Sequence, residues 1–192
     1  MDDKHARLLL DRARRVDIYR QLNPWDVSFS GDNCPTAADA LFHFLAPLSG
    51  QQTSITRCLP PNPQGYTIAP GVHFRRATLQ VIIDMVRNAD PGFVVVVHGI
   101  RPPGAVVGGH RMVPDHYFCM VKLGPPQNDA FWADCSRPDL AMFYPSQSQT
   151  PPGAWDNTIE SMARYNQLRH FEYTAGPYSV RAVVERFQHR GF

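Results

Sequence analysis

The segment FVVVVHGI, residues 93–100, places four β-branched valines in an unbroken row. Such a run leaves no polar side for water, so it predicts a central strand covered on both faces rather than a half-exposed edge. Two further apolar runs, HYFCMVKL (116–123) and DAFWADCS (129–136), flank the turn-forming GPPQN and predict a β-hairpin. In ATLQVIIDMVRNADPG, Leu79, Ile82, Ile83 and Val86 recur at helical spacing and stop at Asp90-Pro91-Gly92. NTIESMARYNQLRHF (157–171) predicts another helix, and the closing YSVRAVVERF leans to strand. The proline-rich segments 54–70 and 144–155 read as irregular connections.

At the N-terminus, Leu9, Ala13 and Val16 share one face ahead of Asn23-Pro24, which predicts a helix within residues 1–25. Its longest apolar run is Leu8 to Leu10, too short for a signal peptide or a membrane span. With 192 residues and 43% hydrophobic content the chain can bury one sizeable core. Helices come first and mostly sequential strands afterwards, which predicts an α+β layer arrangement. The expectation is a single domain over 1–192, with 144–192 as a C-terminal elaboration. The net charge of +2, with both signs interspersed, does not point to nucleic acid or a membrane surface. The four cysteines, at 34, 58, 119 and 135, show no CxxC spacing, so neither a structural zinc site nor a disulfide framework is expected. No cofactor is expected.

The stretch DNCPTAADALFHFL (32–45) sets a cysteine directly before a proline. Pro35 suits the first helical position, and Ala38, Leu41, Phe42 and Leu45 form one apolar face. Cys34 then falls at the helix start, where backbone N–H groups and the helix dipole favour a thiolate. The competing reading is a small apolar residue packed into that start. A nucleophilic thiol needs a base within reach, and the base a third group to orient it. If Leu123 pairs with Asp129, His116 stands opposite Ser136 and diagonal to Asp134 on the same face. Diagonal neighbours lie about 7–8 Å apart at Cα, a gap that long side chains bridge. His98 and His110 compete as bases, and His43 reads as a packed or surface residue. His116 could equally be a hydrogen-bonded strand-start histidine, and Asp134 a strand-end carboxylate.

The order Asn33-Cys34 with its helix, then His116 with Phe118 and Met120, then Trp132-Ala133-Asp134 with Cys135-Ser136 resembles the papain-like cysteine enzymes. Within them it resembles the bacterial toxin and effector branch that acts on glutamine. The likeness covers roughly residues 30–137. It implies a papain-like fold, with the nucleophile-bearing helix packed on an antiparallel sheet. It also implies three roles: Cys34 attacks a carboxamide carbon, His116 serves as base and then acid, and Asp134 orients the imidazole. WDVSFSGDN departs from the proteases of that superfamily in lacking a glutamine ahead of the cysteine. The oxyanion hole is then unassigned, with the Cys34 N–H as a candidate donor and Asn33 or Ser28 as side-chain candidates. Transglutaminase-like enzymes and NlpC/P60 cell-wall amidases carry the same residue types in this order.

What the resemblance implies about setting is an effector delivered by a specialised secretion system, without a cleaved signal peptide, into a target cell's cytosol. Its partners would be a protein substrate there and an immunity or chaperone protein. A non-enzymatic adaptor, whose cysteines are core residues and whose Pro-rich loops present a binding surface, is the reading from another class.

Overall fold

The computed structural model describes residues 34–46, 50–51, 66–68, 74–124, 128–134, 143–146, 158–176 and 180–182. The N-terminal helix expected within 1–25 lies outside them. Helix α1 spans Cys34–Leu45 and buries Ala38, Leu41, Phe42 and Leu45, the four positions of its apolar face. Helix α2 spans Leu79–Arg87 and buries Ile82, Ile83 and Val86. Its start is held by Thr78, whose Oγ1 accepts from Val81 N. Helix α3 spans Ile159–Tyr165 behind a reciprocal capping box of Thr158 and Ser161.

The strands are β1 (Tyr66–Ile68), β2 (Arg75–Ala77), β3 (Val94–Ile100), β4 (Val106–Val107) and β5 (His110–Arg111), then β6 (Asp115–Lys122), β7 (Ala130–Ala133), β8 (Phe143–Pro145), β9 (His170–Thr174) and β10 (Val180–Ala182). Six of them form one antiparallel sheet in the order β2-β9-β3-β6-β7-β8. β1 with β10 and β4 with β5 make two small antiparallel pairs. The architecture is thus mixed α and β around an antiparallel sheet.

Val94 to Val97 are all fully buried, because helices cover both faces. On one face Val95, Val97, Phe118, Met120 and Trp132 pack with residues of α2 and α3. On the other lies α1, whose Ala38 carbonyl accepts from Cys119 Sγ at 3.5 Å. Strand parity divides β6 between these layers, with His116, Phe118 and Met120 to one side and Asp115, Tyr117 and Cys119 to the other.

Three expectations are corrected. The helix expected over 157–171 stops at Tyr165, where Gln167 turns the chain at φ 56° and Leu168 N returns to Ala163 O. His170–Thr174 is then a strand inserted between β2 and β3, so the segment 144–192 supplies an interior strand rather than only an elaboration. The connections expected to be irregular include β1 at Tyr66–Ile68 and part of β8. Short strands of this kind take their order from pairing rather than from local pattern. The lean to strand near the C-terminus matches β10 at Val180–Ala182.

Gly99 faces Leu168 across the sheet, and a Cβ there would meet Leu168 Cδ1 at 2.8 Å. Gly99→Val should therefore destabilise the fold by about 1–3 kcal/mol through overpacking, read as a lower urea midpoint at unchanged m-value.

Candidate active site

The β6–β7 hairpin has the register expected from its turn: Cys119 pairs with Ala133, Met120 with Trp132, and Leu123 N donates to Asp129 O at 3.0 Å. Asp129 secures that turn, its carboxylate accepting from Ala130 N and from both Ser146 N and Ser146 Oγ just after β8. His116 and Asp134 thereby share a face as diagonal neighbours. His116 Nε2 lies 2.8 Å from Asp134 Oδ2, with side-chain exposures of 7% and 2%. A carboxylate can only accept, so Nε2–H is the donor and Nδ1 carries the lone pair. Among the described residues Nδ1 has no hydrogen-bond partner. The imidazole is the end of an aromatic row, 5.9 Å from Phe118 and 5.9 Å from Trp132, whose rings stack on each other at 3.5 Å.

Cys34 is the first residue of α1 and is 3% exposed. Its Sγ stands 4.0 Å from the carbonyl oxygen of Asp115, the residue before His116. The thiol reaches the start of β6 from the α1 side, whereas the His116 ring is directed to the α2 and α3 side. The structure thus brings His116 and Asp134 into direct contact, while Cys34 reaches the same strand end on the other side of the sheet, against the Asp115 carbonyl and without a hydrogen bond to the imidazole.

The competing histidines sit differently. His98 has both ring nitrogens near carboxylates, Nε2 at 2.9 Å from Asp115 Oδ1 and Nδ1 at 3.5 Å from Glu172 Oε2, so its ring is oriented by Asp115 and Glu172 rather than by Asp134. Its ring stacks on Tyr117 at 4.5 Å. His110 is exposed in the β4–β5 pair, and His43 sits edge-on to Phe42 in the last turn of α1. Cys119 is buried with its sulfur on Ala38 O, facing the helix that carries Cys34. Cys58, Cys135, Ser28 and Asn33 lie outside the described residues.

Sequence reasoning missed Arg101, which follows β3 and is 2% exposed. Nε donates to Asn166 O at 2.9 Å, Nη2 to Asn166 Oδ1 at 3.3 Å, and Nη1 to Val113 O at 3.1 Å and Asp115 O at 3.2 Å. Burial pushes its guanidinium below the usual arginine value, opposed by Cys34 first and then by Asp134 and Asp115. An arginine beside Pro102-Pro103 at a strand exit looks like a solvated loop cation, and no pattern in the chain marks it as buried.

Among the described residues no group of three or more His, Cys, Asp or Glu is placed to hold a metal ion, and no helix is long and apolar enough to cross a membrane. An open groove of about 670 Å³ lies at the same end of the sheet, where Ile100, Arg169, His170 and Phe171 meet the start of α2. Comparison with protein-family models, curated proteins and solved structures finds no match.

Because His116 Nε2 is buried on a single carboxylate, Asp134→Ala should cost about 1–3 kcal/mol of stability by leaving that donor unsatisfied. Cys34→Ala, which removes one sulfur at a helix start, should cost less. Urea unfolding of the two variants side by side checks the order.

Proposed function

We propose that the protein is a cysteine-dependent amidohydrolase of papain-like design, with Cys34 as nucleophile, His116 as base and acid, and Asp134 as the group that orients the imidazole. The observation that carries this reading is the buried His116–Asp134 pair at the one strand end that the Cys34 thiol also reaches. Asp134 fixes the tautomer that leaves Nδ1 basic, which is the orienting member's task. The thiol and the imidazole flank that strand end from opposite sides of the sheet, so this reading requires substrate binding to bring them together.

In the proposed reaction the Cys34 proton passes to His116, and the thiolate sulfur bonds to the carboxamide carbon. The carbonyl pair moves onto oxygen, where the Cys34 backbone N–H at the helix start is the candidate donor. Collapse of that intermediate breaks the C–N bond, and the nitrogen leaves as ammonia with the proton from His116. A water then attacks the thioester, giving a proton to His116. The C–S bond breaks, leaving a carboxylic acid and the thiolate. Water as acceptor yields deamidation or hydrolysis, and an amine would yield cross-linking. The resemblance selects glutamine in a target protein as substrate, and delivery as an effector into another cell's cytosol, with an immunity or chaperone protein as partner.

The burial of Cys34 favours the second reading, a non-catalytic binding module with a packed cysteine. Peptide mass spectrometry of target-cell proteins, exposed to the protein or to Cys34→Ala, decides between them. Glutamines converted to glutamate only by the unaltered chain support the enzyme, and identical maps support the module. With a substrate in hand, Cys34→Ala and His116→Ala should each lower kcat by about 10³-fold or more, and Asp134→Ala by a smaller factor.

A further inference from the structure

Arg101 is a permanent cation enclosed by protein. Its four hydrogen bonds all end on neutral oxygens, and among the described residues no carboxylate lies within ion-pair distance of it. A charge removed from water is costly, and beyond ion-pair distance the Asp134 and Asp115 carboxylates offset that cost only in part, so a nearer anion would stabilise it further. The Asp115 carbonyl shows which group is placed to supply it, for it receives Arg101 Nη1 at 3.2 Å and has Cys34 Sγ at 4.0 Å. The two are therefore no farther apart than those two distances laid end to end. At 4.0 Å the carbonyl holds the thiol proton only weakly, and its lone pairs are already drawn toward the guanidinium.

We propose that Arg101 is the positioning residue that serves as counter-cation to a Cys34 thiolate, held across the Asp115 carbonyl from the sulfur and keeping it ionised whether or not His116 is protonated. This rests on Cys34 as nucleophile and adds a division of labour to it. The imidazole, directed to the other face of the sheet, moves protons, while the guanidinium carries the charge balance. On ionisation the thiol proton passes to His116, as in the proposed reaction, or to solvent where the imidazole is absent or already protonated, and the Arg101 guanidinium keeps its charge throughout. The remaining titratable groups around α1 are arranged accordingly. From β6 come Asp115, engaged with His98 of β3, Tyr117, stacked on His98, and Cys119 on Ala38 O; Asp134, on the other face of the sheet, is held by His116. β1 and β10, which also pack on α1, carry Tyr66 and Arg181. The opposition of Cys34 to the burial-driven fall of the Arg101 value is in the same sense.

The test is the pH midpoint of the thiolate's ultraviolet absorbance, taken as the difference from Cys34→Ser in each background. It needs no reagent to reach the buried sulfur and no substrate. In the unaltered chain the midpoint should lie below the ordinary thiol value of about 8.5. It should stay there in His116→Ala and in Arg101→Lys, and should rise by about one unit or more in Arg101→Gln. A merely structural arginine would change stability without moving this midpoint. Should Arg101→Gln not fold, the unaltered chain and His116→Ala still decide: a low midpoint kept without the imidazole supports the assignment. An ordinary midpoint in the unaltered chain overturns it and leaves the amidohydrolase reading to the mass map. A midpoint raised by His116→Ala but not by Arg101→Gln assigns the thiolate to the imidazole, overturning the inference while the enzyme reading stands.

Discussion

The alignment of β6 on β7 is the constraint from which the rest of the site follows. With Met120 opposite Trp132, His116 and Asp134 fall on the same face and meet at 2.8 Å. A slip of one residue would turn Asp134 to the α1 side and leave the imidazole nitrogen without its carboxylate. Asp129 resists that slip from the turn, and the Phe118–Trp132 stack resists it from the middle of the hairpin, since both depend on the same pairing.

Burial of the sheet on both faces then decides how chemistry can be distributed. Side chains alternate along β6, so neighbouring residues serve different layers: Asp115 engages His98, His116 engages Asp134, and Cys119 touches α1. At the strand's beginning the two layers come together. There the Cys34 thiol and the Arg101 guanidinium converge on one peptide carbonyl. The guanidinium is held by the chain before β6 and by Asn166 beyond α3, so its position depends on elements distant in sequence. A helix start gives a thiol a modest electrostatic bias, to which an enclosed guanidinium on the same carbonyl adds a full positive charge.

The proline-rich connections and the long helical reading of 157–171 illustrate where local pattern runs out. Residues 159–165 do form a capped helix, but HFEYT continues the same polar and apolar mixture while lying between β2 and β3. What separates the two is a left-handed turn at Gln167 and the room above Gly99 that admits Leu168, and neither leaves a mark in a helical periodicity.

The sequence by itself determined the central strand, the hairpin and the apolar face of the Cys34 helix, and it placed His116 and Asp134 on one face on the condition that Leu123 pairs with Asp129, which the structure meets. Each rests on a period of two or of 3.6 residues, read over a short stretch of chain. Only the tertiary structure decided which side of the sheet each helix covers. It therefore also decided that Cys34 arrives from the side opposite the imidazole, that His98 is occupied at both nitrogens, and that Arg101 is enclosed beside the thiol. Those outcomes depend on contacts between residues as far apart as Cys34 and Asp115, or Arg101 and Asn166. No local period encodes such contacts, because layer order is set by how whole elements bury their faces against one another.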